Sequence, residues 1–96
     1  MENYLVYYVD KNYNEYGFAE CGLYRIVVVG GDIENDRVIN ERKAIEKWKE
    51  TVDCTELEIE LENVVYGIPV WATKDPADND RPYYIMVQHL PKAIKN

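Results

Sequence analysis

The stretch Val38-Ile39-Asn40-Glu41-Arg42-Lys43-Ala44-Ile45-Glu46-Lys47-Trp48-Lys49-Glu50-Thr51-Val52 decides the fold. Val38, Ile45, Trp48 and Val52 fall on one stripe at near-heptad spacing. Glu41, Arg42, Lys43, Glu46, Lys47, Lys49 and Glu50 cover the other faces with mixed sign, which is the pattern of an amphipathic helix. Asp36 or Asn40 is placed to cap its start by accepting backbone N–H bonds, and Asp53 lies just past its end. A helix of about four turns with so narrow a stripe is marginal alone, so it must pack on something, with Trp48 supplying much of the buried area. It is the only convincing helix in the chain.

Everything outside it reads as strand or turn. Tyr4-Leu5-Val6-Tyr7-Tyr8-Val9 is an unbroken β-branched and aromatic run with no polar face, and Leu23 to Val29, interrupted only by Arg25, reads the same way before Gly30-Gly31 stops it. A strand apolar on both sides sits inside a sheet covered on both faces, or it offers its tyrosines to a partner. On the C-terminal side, Leu57, Ile59 and Leu61 alternate with Glu56, Glu58, Glu60 and Glu62, the signature of a half-buried strand. Asn63 breaks the alternation and Val64 to Trp71 resumes it. Pro69 cannot donate to a ladder, which puts its neighbourhood at an edge or a bulge. Asp75 to Pro82 is the clearest loop, and Tyr83 to Leu90 is the last strand, ended by Pro91 ahead of a short basic tail. The order is β-β-α-β-β-β. With no second crossover helix, the α+β reading is a mostly antiparallel sheet of about five strands with the helix packed on one face.

Ninety-six residues, 47% hydrophobic and 30% charged, make one domain over 1–96. Its 18 acids against 11 bases give a net charge of -7, which argues against direct nucleic-acid contact and against anionic membrane surfaces. No run reaches the ~20 apolar residues of a membrane span, and Met1-Glu2-Asn3 lacks a secretory start, so a cytoplasmic protein is expected. Cys21 and Cys54 are then expected as reduced, small buried hydrophobes.

The acids are unevenly placed: seven against two bases in 1–36, and eight against one in 53–80. Glu56, Glu58, Glu60 and Glu62 are the sharpest element, a ladder of carboxylates about 6.6 Å apart along an ideal strand. That is about half the charge density of a nucleic-acid strand at ~3.4 Å per charge, so full mimicry of DNA needs Asp75, Asp78 and Asp80 or the Asp32 loop alongside. The competing reading is a solvated strand face that blocks edge pairing. Nine tyrosines are the second unusual feature, and Tyr13 and Tyr16, in a polar loop, are candidate contact residues.

Chemistry is harder to find. Asp32, Glu34 and Asp36 have calcium-loop spacing, but Arg37 stands where the loop needs Gly and Lys43 where it needs Glu. Cys21, Cys54 and His89 have no paired zinc-ligand spacing, and Gly30-Gly31 lacks the further glycine and lysine of a phosphate loop. No metal, cofactor or catalytic residue is expected, and no motif anchors a family. In size and composition the chain resembles the small acidic accessory proteins of phages and mobile elements.

The expectation is a non-enzymatic protein-binding module, an inhibitor of the phage anti-defence type. Its acidic face would occupy the basic, nucleic-acid-handling surface of a larger protein. The alternative is a small-ligand or nucleotide binder, oligomeric, with a pocket walled by tyrosines, Trp71 and Arg25 or Arg81. A tyrosine-rich sheet face equally allows a homodimer.

Overall fold

In the computed structural model, which describes residues 2–10, 21–30, 36–74 and 83–91, the elements follow the expected order. They are β1 (Glu2–Asp10), β2 (Cys21–Val29), α1 (Arg37–Thr51), β3 (Ile59–Val65), β4 (Ile68–Thr73) and β5 (Tyr83–Leu90). The strands form one antiparallel sheet in the order β2-β1-β5-β4-β3. Of the two runs that read as apolar on both sides, β1 lies inside the sheet but β2 lies at an edge, because it pairs with β1 alone; the glutamate-bearing β3 is the other edge, where charge discourages further pairing. Between β2 and β3, which are opposite edges of the sheet, α1 packs on one face of it.

The helix begins where its cap dictates. Asp36, in extended geometry, accepts from Val38 N at 2.9 Å and Ile39 N at 3.4 Å, so Asp36 rather than Asn40 is the cap. Its end is a Schellman turn: Cys54 N donates to Lys49 O at 2.8 Å and Asp53 N to Glu50 O at 3.3 Å. Asp53 takes the left-handed position at φ 58 that usually falls to glycine.

Alternate residues of each strand meet the helix. Tyr4, Val6, Val27, Val29, Trp71 and Ile85 from the sheet enclose Ala44, Ile45 and Trp48, with Tyr8, Val38, Val52, Leu57, Ile59, Leu61 and Val87 around them. The helix buries one residue the charge pattern had assigned to solvent: Glu41 is buried, because it lies a turn ahead of Ile45 and so shares its face. One indole and one guanidinium explain how the core tolerates this. Trp71 Nε1 donates to Glu41 Oε1 at 3.0 Å, and Arg37 Nε donates to Glu41 Oε2 at 2.6 Å. Arg42 lies 4.9 Å over the Trp71 ring. Trp48 Nε1 donates to the Leu23 carbonyl at 2.7 Å. That carbonyl is presented by a bulge: the β1–β2 register shifts between Val6 and Tyr8, and Leu23 adopts φ 54 there.

Boundaries around β3 and β4 depart from the sequence reading. The break expected at Asn63 is a bulge, with the register slipping between Leu61 and Asn63. The reversal comes three residues later at Tyr66-Gly67, φ 49 and 77, where both central residues of the turn are left-handed as a two-residue hairpin requires. Gly67 was unread as a turn because Tyr66, an unusual residue at positive φ, masks the signal. Pro69 does sit at a local edge: β4 pairs with β5 only at Trp71–Ile85 and Ala72–Tyr84, so among the described residues Val70, Pro69 and Ile68 pair with β3 alone.

Candidate interaction surface

Because the side-chain period of a strand is two, the same strands that bury Tyr4, Val6, Val27 and Ile85 turn a second set of residues away from the helix. The pairing registers assemble this set in rows. Leu5 lies between Ile26 and Gln88, Asn3 between Val28 and Leu90, Met86 beside Tyr7, and Tyr84 between Val9 and Ala72. Tyr7 and Tyr24 stack with ring centroids 4.6 Å apart. Partial desolvation and then the neighbouring Cys21 push the Tyr24 hydroxyl above its ordinary pKa of 10.0.

Among the described residues this outer face is largely apolar and exposed, broken by Asn3, Gln88 and Glu60 and closed at Ala72, which is buried. Ile26 is 65% exposed, Ile68 51%, and Val28, Val65, Tyr24 and Met86 lie between 40% and 50%, while Tyr66 at the hairpin tip is 99% exposed. Five strands ~4.8 Å apart, over roughly six residues each, span about 20 by 20 Å, or about 400 Å² in projection. Contiguous apolar patches of that size on a monomer are commonly functional. Among the described residues none packs a layer against it: the only helix lies on the other side.

The carboxylate ladder is shorter than its sequence pattern. β3 starts at Ile59, so only Glu60 and Glu62 belong to it; Glu58 precedes it and Glu56 sits in the turn that brings the chain from helix to sheet. The physical reason is that residues 52–56 are consumed by the Schellman end and the following turn, closed by Leu57 N donating to Cys54 O at 3.0 Å. The bulge then takes Glu62 out of regular register. All four glutamates are nevertheless exposed. Glu60 stands opposite Ala72, so it borders the apolar face, and Glu58 meets Lys74 Nζ at 3.6 Å. Asp75, Asp78, Asp80, Tyr13, Tyr16 and Arg81 lie outside the described residues.

The other sequence candidates are scattered. Cys21 is exposed at the start of β2, contrary to the expectation of a buried hydrophobe, because it pairs with Val9 on the face turned away from the helix; Cys54 is half-buried, and both are free thiols. His89 Nε2 lies 3.0 Å from Glu2 Oε2, with its ring 5.0 Å from that of Tyr4. Among the described residues no group of three or more His, Cys, Asp or Glu could hold a metal ion, and no helix is long and apolar enough to cross a membrane. Trp71 does line a cleft, with Tyr84, Met86 and Val70, but its volume of about 240 Å³ falls below the ~300 Å³ at which small-molecule pockets begin. Arg25 is exposed at the far edge strand, its guanidinium folded onto the Tyr24 carbonyl at 2.8 Å.

Sequence reasoning missed Tyr24, Ile26, Val28, Ile68 and Met86 as site residues. Their signal was present in runs with no polar face, but which residues of such a run face the helix is decided by register. The chain matches no protein-family model, and comparison with curated proteins and with solved structures likewise found no match.

Proposed function

We propose that this protein is a non-enzymatic protein-binding module that docks through the outer face of its sheet onto a larger protein whose apolar patch is rimmed by basic groups. The single observation that carries the reading is the apolar face built by Tyr24, Ile26, Val28, Ile68 and Met86, open among the described residues. Its border supplies the second half of the recognition. Glu60 and Glu62 on the edge strand, with Glu56 and Glu58 ahead of it, give the rim the sign that attracts lysine and arginine. Apolar contact supplies affinity and the carboxylates supply steering and orientation.

Basic surfaces of this kind are built to hold phosphates, so a nucleic-acid-handling protein is the target class, and occupancy of its surface makes this chain an inhibitor of the anti-defence type. Such targets are met in the cytoplasm, where the free thiols of Cys21 and Cys54 stay reduced.

The test is to isolate the partner with tagged protein and then measure affinity for the purified partner by calorimetry, with wild type, Ile26→Ser, Met86→Gln and a Glu58, Glu60, Glu62→Gln triple variant. The outer-face substitutions are expected to weaken binding more than about tenfold. The glutamine variant is expected to slow association and flatten its salt dependence. Wild-type affinity in Ile26→Ser and Met86→Gln overturns the reading. So does a stable dimer of this chain that those same substitutions dissociate, since a second copy would then cover the face.

A further inference from the structure

The sheet contains an interior gap. β5 pairs with β1 along its whole length, from Asp10–Tyr83 to Asn3–Leu90. On its other side it pairs with β4 at Tyr84 and Ile85, after which β4 leaves it. Along Met86–Leu90, alternate residues therefore turn N–H and C=O groups toward a space that no described strand fills. Pro69, which would continue the β4 side of the ladder, has no N–H to give. The space is the cleft of about 240 Å³, walled by Ile68, Pro69 and Val70 on one side and Met86 and Val87 on the other, with Arg37 at the first turn of α1. Arg37 commits its Nε to Glu41, and its side chain is 55% exposed, which leaves the rest of its fork of donors for another acceptor.

We propose that this gap is a strand-acceptor site: an extended segment of the partner pairs with Met86–Leu90, seats one apolar side chain between Val70 and Met86, and places a carboxylate on Arg37. The inference rests on the protein-binding reading above and names how the partner engages. Three properties support it together. The β5 edge at Met86–Leu90, unpaired among the described residues, offers main-chain hydrogen bonds, as in strand addition to a sheet. The cleft is the size of one or two apolar side chains and smaller than a small-molecule pocket. Among the described residues Arg37 is the one charged residue lining the cleft, so charge complementarity selects a carboxylate there, while the acidic rim of β3 disfavours further acids in the segment.

The experiment uses the full chain and a synthetic acetylated peptide of about seven residues, alternating Val and Thr, with Lys at its start and Asp near its end. Residue-resolved amide exchange is recorded for the free and peptide-bound protein. In the free protein, alternate amides in Met86–Leu90 are expected to exchange fast while their β1-facing neighbours are protected. The peptide is expected to slow those fast amides at least about tenfold, and Val70→Trp, which fills the cleft from a half-buried position, is expected to abolish that protection. Arg37→Gln is expected to weaken the peptide about tenfold. Protection of every amide in Met86–Leu90 before peptide is added, or none gained at saturating peptide, overturns the proposal. Partner binding lost in Ile26→Ser but unchanged in Val70→Trp also overturns it while leaving the outer-face reading intact. Partner binding lost in Val70→Trp but unchanged in Ile26→Ser sustains the strand site and removes the outer face.

Discussion

Replacing Glu41 with leucine probes the least expected feature of the core. The carboxylate is 4% exposed and accepts from Trp71 Nε1 and Arg37 Nε. Leucine keeps its approximate volume, so the change isolates the polar contacts from the packing. Trp71 is itself 1% exposed, and an indole N–H left there without an acceptor costs about 1–3 kcal/mol. Arg37 is half in solvent and can rehydrate, so the lost ion pair adds about 0–1 kcal/mol. The expected destabilisation is about 2–3 kcal/mol, a large share of the roughly 5–10 kcal/mol available to a domain of this length. At 4–8 °C per kcal/mol, Tm falls by about 10–20 °C. Trp71→Phe removes the donor, so in its background Glu41→Leu should cost about 1–2 kcal/mol less. Urea melts followed by far-ultraviolet circular dichroism give the four corners of this cycle without relying on the altered fluorophore. Additivity of the two substitutions within about 0.5 kcal/mol would refute the argument, because it would mean that the indole and the carboxylate do not depend on one another.

Two further predictions concern β1. A Cβ added at Gly22 would meet the Tyr8 ring at 2.6 Å, since the two residues are paired across β1 and β2; Gly22→Ala is expected to cost about 1–2 kcal/mol in chemical denaturation, and Tyr8→Leu in the same background should recover part of it. Tyr4 is held above its ordinary pKa of 10.0, first by burial and then by the charges of Glu2 and Glu41, against a smaller opposing effect of Arg37. The folded state therefore binds this proton more tightly than the unfolded chain, so stability is fully present below pH ~10 and is lost as pH rises through the folded value. Tyr4→Phe should lose less stability than wild type above pH ~10 in urea melts; equal slopes in the two proteins would reject this.

Much of the fold was legible in the chain. Local periodicity distinguishes α1 from every strand, the lack of a second helical pattern in the sequence points to an antiparallel sheet, and Pro69 announces the place where β4 parts from β5. These are properties of neighbouring residues, and neighbouring residues are what a sequence records. Three things were decided only by tertiary structure. Glu41 is a solvent residue by charge and a core residue by position, and only the arrival of Trp71 and Arg37 makes its burial tolerable. The glutamates from 56 to 62 alternate perfectly in sequence, yet the turn out of α1 and the bulge after Leu61 admit only two of them to the strand. The runs of β1, β2 and β5 carry little internal sign of which residues face the helix, because apolar residues occupy both faces of each. Register alone sends Val6 and Ile85 inward and Ile26 and Met86 outward, and a face on which no described layer packs thereby becomes the surface on which the function is proposed to rest.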